Sequence, residues 1–163
     1  MTSRAVIALL LVTSAPLAVH AHDIVRRASP GFPISSSVTV PAGAEIVFLS
    51  GMLADAADTK APAGSIERFG DTATQTKSVL GKIQKELEAL GLGMQDVVKM
   101  NVFLVGDPAL GGSMDFVGLM RAYSTAFGDS TGGRLPARTT VQVAALPLPG
   151  ALVEIEVVAA RAP

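Results

Sequence analysis

Two segments of this chain repeat their apolar residues every three or four positions, and each is followed by a segment that alternates them every two. In the first, starting near Ile66 or Asp71, Thr76, Val79, Leu80, Ile83, Leu87 and Leu90 share one helical face, and Gly91 stands where a C-terminal cap belongs. The second starts near Ser113 or Asp115, carries Phe116, Leu119, Met120, Tyr123 and Phe127 as its stripe, and ends at Gly128. Between them, Asp96 to Val105 reads as a strand with Val98, Met100, Val102 and Leu104 on one side and Val97, Lys99, Asn101 and Phe103 on the other. Before the first helix, Val38–Val40 is a short strand and Glu45–Ser50 a buried one, closed by Gly51. Two strands end the chain. Two amphipathic helices against one sheet make an α+β two-layer sandwich, here a mixed sheet of about six strands with both helices on one face. The other face is then wet unless other subunits cover it.

The first 21 residues read as something other than fold. Arg4 precedes an unbroken apolar run, Ala5–Val12, and small residues lead to Val19-His20-Ala21. A positive start, a short apolar run and a small residue before a cut describe a secretory signal, cleaved after Ala21, so the protein is expected to be periplasmic or secreted. The run is too short for a membrane anchor. Residues 22–37, rich in Pro, Gly and Ser, are expected to form an extended N-terminal arm, and residues 38–163 a single domain.

Composition excludes several chemistries. There is no cysteine, hence neither a thiol nucleophile nor a thiolate metal site, and cleavage leaves His22 as the only histidine. Without Arg4 the chain holds 12 basic and 14 acidic side chains, and no Lys/Arg run marks a nucleic-acid or anionic-membrane partner.

The residues suited to chemistry lie near the end. Pro136-Ala137-Arg138 opens a strand on which Arg138, Thr140, Gln142 and Ala144 share a face, while Thr139, Val141, Val143 and Ala145 make the expected core side. After a turn at Pro147–Gly150, Glu154 and Glu156 oppose the apolar face of Val153, Ile155, Val157 and Ala159. Arg138 and both glutamates are thus expected on the uncovered sheet face. An arginine forks onto a carboxylate, and a carboxylate can activate water. The same residues also suit surface ion pairs and a solvated strand. If the two strands pair as a hairpin, Glu154 falls near Gln142, roughly 13 Å along the strand from Arg138. One small ligand then cannot touch both within one chain. Either they are not one site, or the site borrows a member from a neighbouring subunit.

The series Leu49-Ser50-Gly51, Gly91, Asp96-Val97-Val98-Lys99, Val102-Phe103-Leu104, Tyr123 with Phe127, Pro136-Ala137-Arg138, Leu146-Pro147 and Val153-Glu154-Ile155-Glu156 closely resembles the Rid/YjgF family of reactive-intermediate (imine/enamine) deaminases over about residues 32–161. The resemblance implies a chorismate-mutase-like fold and a homotrimer with clefts between subunits. It implies that Arg138 grips the carboxylate of a 2-imino acid, that the backbone amide of Thr140 helps bind it, that Glu154 holds the attacking water, and that Ser50, with Gly51, lines the cleft. Where members carry Gly-Pro-Tyr-Ser, this chain has Gly31-Phe32-Pro33-Ile34-Ser35-Ser36, and Met120 stands where asparagine is common, which makes the cleft less polar. The expected activity is cofactor-free hydrolysis of 2-imino or enamine acids, such as 2-iminopropanoate and 2-iminobutanoate, to 2-oxo acids and ammonia. The alternative is a non-catalytic trimer of the same fold that binds small carboxylates. Ribonuclease activity, sometimes attached to the family, finds little support in a chain without a basic stripe.

Overall fold

The computed structural model describes residues 22–128 and 131–163, so the expected signal segment lies outside the described residues. Six strands form one mixed sheet: β1 (Val25–Ala28), β2 (Ser35–Thr39), β3 (Glu45–Leu53), β4 (Val97–Val105), β5 (Ala137–Val143) and β6 (Val153–Arg161). Their spatial order is β1-β2-β5-β4-β6-β3. β4 runs parallel to β5 and antiparallel to β6, and β3 is antiparallel to β6. The helices α1 (Ile66–Phe69), α2 (Thr72–Ala89) and α3 (Phe116–Ala126) supply the second layer.

Local chemistry sets the helix ends. The Asp71 carboxylate accepts from the Thr74 backbone N–H at 2.8 Å, and that of Asp115 from the Gly118 N–H at 2.8 Å. At the far end of α2, Gly91 takes φ +69°. Gly91 N–H then reaches the Glu88 carbonyl and Leu92 N–H that of Leu87, so two orphan carbonyls are satisfied. Arg161 on β6 donates to the carbonyls of Leu90 and Gly91, bringing a cation to the negative end of the helix.

The core lies between helices and sheet. Met100, Val102 and Leu104 of β4 and Ile155 and Val157 of β6 meet Val79, Ile83, Leu87, Leu119, Tyr123 and Phe127. Tyr123 stacks on Phe127 with ring centroids 4.8 Å apart, and its hydroxyl donates to the Pro33 carbonyl at 3.0 Å. Gln75 is a fully buried polar clasp. It donates to the carbonyls of Gly70 and Gly150 and accepts from Leu152 N–H, tying the start of α2 to the turn before β6.

Three expectations are corrected. The segment 22–37 is not a plain arm, because Val25–Ala28 and Ser35–Thr39 pair as antiparallel strands. β3 is an edge strand with most of its residues open to solvent, although its composition reads as buried. The last two strands do not form a hairpin, because β4 lies between them. β4 has the more continuous apolar face, and pairing it on both edges buries that face from both sides.

Gln75→Leu would strand a buried N–H and two carbonyls, and on the order of 3 kcal/mol of stability should be lost in urea unfolding. Gly81 lies mid-helix in α2 with no atom within 4 Å of where a Cβ would stand, so Gly81→Ala should stabilise by about 0.5–1 kcal/mol. Burial pushes the phenol of Tyr123, the chain's one tyrosine, up to about 12, against the pull of Arg138. An unfolded phenol titrates near pH ~10, so in the window between these values the folded state binds more protons. Stability should therefore fall as pH rises from ~10 to ~12, by roughly 2–3 kcal/mol, and phenolate absorbance should develop only near the top of that window.

Candidate active site

The sequence-derived residues fall into two clusters on opposite sides of the sheet. Arg138 pairs in register with Met100, and Thr140 with Val102, so both face the helices. Thr139 turns the other way, where its hydroxyl accepts from Lys99 Nζ at 2.9 Å, and Val141 is 41% exposed. The expected orientation of β5 is therefore reversed. Val141 reads as core by hydrophobicity alone, yet the side chain with room among the rings of α3 is that of Arg138.

The Arg138 guanidinium carbon sits 4.2 Å from the centroid of the Tyr123 ring and 5.8 Å from that of Phe116. Nη2 donates to Met120 Sδ at 3.3 Å, a weak acceptor that a carboxylate oxygen would readily replace. Among the described residues Nη1 is buried with no hydrogen-bond partner, and so is Thr140 Oγ1, two residues along the same strand face. Burial lowers the Arg138 pKa from its ordinary value, with the Tyr123 charge acting in the opposite sense, and the guanidinium remains a cation at neutral pH. A desolvated cation and a hydroxyl without partners cost free energy unless something anionic meets them. The backbone contributes as well. Pro136 C=O accepts from Ser35 N–H, and alternation along the strand turns Thr140 N–H to that same edge. β2 pairs with β5 only at Ser35↔Ala137, so the edge is open beyond that point.

The second cluster is on the uncovered face. Glu154 lies across from Phe103 on β4 and Leu53 on β3. Its carboxylate rests over Gly51, where any Cβ would overlap Oε1. Ser50 and Gly51 form an irregularity in β3, the register shifting between Leu49 and Met52. Glu156 accepts from Asn101 Nδ2 at 2.6 Å. Beside it, Phe48, Ser50, Lys99, Asn101 and Val158 help line a hollow of about 200 Å³.

Ser50, Gly51 and Glu154 thus come together, as do Arg138, Thr140 and Met120, but the two sets do not meet. From the Arg138 row to the Glu154 row is three residues along and two strands across, roughly 10 Å in each direction, besides the change of face. The hairpin behind the expected spacing is absent, and the two groups instead stand apart because β4 lies between their strands and they face opposite sides of the sheet. Sequence reasoning missed Tyr123 and Phe116 as the platform beneath Arg138. Their signal was Phe116, Met120 and Tyr123 on one stripe, which reads equally as core. Among the described residues, no group of three or more His, Asp or Glu side chains is gathered to hold a metal ion, and no helix is long and apolar enough to cross a membrane.

Comparison with known proteins agrees with this architecture. The Endoribonuclease L-PSP family profile matches residues 33–161. A RutC family protein of Pyrococcus abyssi is 33% identical over 134 residues, covering 82% of this chain and 91% of its own. Protein DfrA of Myxococcus xanthus is 36% identical over 127 residues, 78% of this chain and 84% of its own. With a RutC family protein of Pyrococcus horikoshii the identity is 38% over 90 residues, which span 55% of this chain and only 63% of that protein. Among solved structures, E. coli TdcF with bound serine superposes with a TM-score of 0.55 at 31% identity, over 75% of this chain and 84% of that one. The yeast protein YEO7 gives a TM-score of 0.54 at 29% identity, over 83% and 93%. With a profile match across most of its length and relatives of this similarity, the chain belongs to the Endoribonuclease L-PSP family, also called YjgF/RutC.

Proposed function

We propose that this protein is an exported imine/enamine deaminase that hydrolyses 2-imino acids to 2-oxo acids and ammonia. It works as a homotrimer in which Arg138 of one subunit and Glu154 of another close a single cleft. The observation that carries this reading is the pair of buried groups Arg138 Nη1 and Thr140 Oγ1, unpartnered among the described residues, on one strand face beside an open backbone edge. A carboxylate seated there accepts from the guanidinium, the hydroxyl and the Thr140 amide. The serine bound to TdcF, itself a small amino acid with a carboxylate, supports a ligand of that class. Intersubunit assembly is supported by the distance between the clusters and by the exposed apolar Ile46, Phe48 (78% exposed) and Val141 on the uncovered sheet face.

The chemistry asks little of the protein. With the carboxylate fixed, the electrophilic C2 is presented to a water held by the Glu154 carboxylate. Glu154 takes a proton as the water oxygen bonds to C2, and the C=N electron pair moves to nitrogen. Returned to nitrogen, that proton completes a carbinolamine; Glu154 then takes the hydroxyl proton and passes it to the amine, so C–N cleavage releases ammonia as the oxygen electron pair forms C=O. Gly51 leaves room for Glu154 to lie across β3.

A second reading, binding without turnover, is favoured by Met120 against the guanidinium and by Phe32, an apolar side chain 68% exposed in the segment where members carry tyrosine. RNA cleavage, the activity in the family's name, gains nothing from a chain of net charge −1 without a basic run.

The test is 2-oxo acid release from freshly generated 2-iminopropanoate and 2-iminobutanoate. Arg138→Ala should lower kcat/KM by about 10- to 100-fold or more, and Arg138→Lys should rescue poorly. Glu154→Gln should cost about 10²–10⁴ in kcat. Mixing Arg138→Ala with Glu154→Gln subunits should restore part of the activity, because some clefts then hold both native residues. Normal turnover by Arg138→Ala would sink the mechanism, no gain on mixing would sink the shared cleft, and saturable binding without turnover would favour the second reading.

A further inference from the structure

α3 has two occupied sides. Phe116, Met120 and Tyr123 face Arg138, while Arg121, Ala122 and Thr125 project from the opposite side and, with α2, line a cleft of about 490 Å³. That volume lies in the roughly 300–1,000 Å³ range of small-molecule sites. We propose that this cleft is a second binding site, separate from the Arg138 cluster, that takes a free alkyl carboxylate. Its head group sits between Lys77 and Arg121 and its chain lies along Leu80, Gly81 and Ala122.

Charge selects the head group. Lys77 comes from α2 and Arg121 from α3, so a cation stands on each wall, and among the described residues no Asp or Glu lines the cleft. The ion pairs among the described residues are Lys82–Asp55 and Arg161–Glu45, and neither cleft cation takes part. Asp71 is near enough to feel Arg121, but its carboxylate is committed to Thr74 at the start of α2. An anion entering between Lys77 and Arg121 therefore meets two cations that no carboxylate of the described residues holds in an ion pair.

Shape selects the tail. Leu80 is buried at the floor, and Ala73, Gly81 and Ala122 keep both helices thin along the cleft. Gly81 is the telling position. A glycine in the middle of an 18-residue helix is unfavourable, and here no neighbour demands it, because an added Cβ would meet nothing within 4 Å. What a side chain there would displace is the open space of the cleft. A single alkyl chain with an anionic end matches this lining, whereas a short carboxylate such as acetate leaves the apolar floor uncovered.

The experiment is calorimetric titration of the intact protein with decanoate, decanol and acetate, the decanoate kept below its micelle concentration. Decanoate should bind saturably, with decanol and acetate each at least tenfold weaker. Lys77→Ala/Arg121→Ala, both at exposed positions, should weaken decanoate at least tenfold with unchanged melting temperature. Gly81→Leu should abolish binding, while Arg138→Ala should leave it intact and so separate this site from the reaction cleft. Absence of saturable binding, equal affinity for decanol, indifference to the Lys77/Arg121 variant, or loss in Arg138→Ala would each overturn the proposal. If Gly81→Leu does not fold, the Lys77/Arg121 variant still decides.

Discussion

Everything in this molecule is arranged around the pairing of β4 on both edges. Its alternate residues Met100, Val102 and Leu104 are fully buried, and they can be covered only if helices pack above and strands flank on both sides. β6 lies antiparallel on one edge. β5 lies parallel on the other, which requires a crossover, and α3 is that crossover. The crossover helix then lies over the start of β5, and this is how Arg138 comes to rest on the aromatic residues of α3. A plain hairpin between the last two strands would have kept arginine and glutamate on adjacent strands. The parallel insertion separates them by a strand.

The cost of placing a guanidinium under a helix explains the character of its surroundings. Desolvation disfavours the cation, and the aromatic face of Tyr123 offsets part of that penalty without using up the donors. Had a carboxylate of the same chain been placed against Arg138, the pair would have been neutral and closed to an outside ligand. A ring and a thioether support the charge while leaving Nη1 available.

Much of this was legible from the chain alone, for identifiable reasons. The two helices announced themselves through long, uninterrupted stripes closed by Asp71 and Asp115 on one side and Gly91 on the other, because burial and capping both leave marks in local sequence. The faces of β4 and β6 followed from strict alternation. The orientation of β5 did not, since its seven residues mix Thr, Val, Arg and Gln and either face is acceptable by hydrophobicity. What settles that strand is its register against Met100 and Val102, a contact across some forty positions that no local pattern encodes. The β1–β2 pair was hidden in the same way, by Ser- and Pro-rich composition whose partner strand lies a hundred residues downstream. In the candidate site, Arg138 and Glu154 stood out as residue types, but the aromatic platform was masked by its resemblance to ordinary core.

That distant partner has a consequence for the order in which the molecule assembles. The β1–β2 pair is joined to the remaining sheet through Ser35 against Ala137, with the Ser35 hydroxyl on Leu135, Arg26 on the carbonyls of Gln95 and Val97, and Pro33 receiving the Tyr123 hydroxyl. Every one of these docking points is made by residues that leave the ribosome after it. The earliest part of the described fold to emerge must therefore wait for nearly the last, and loop-closure entropy sets it against the nucleus rather than within it. It behaves as a latch, fastened late and joined by few bonds, and so the piece with the least to lose by opening. When it lifts, the Tyr123 hydroxyl loses its acceptor, so the platform under Arg138 is only as firm as the β1–β2 pair.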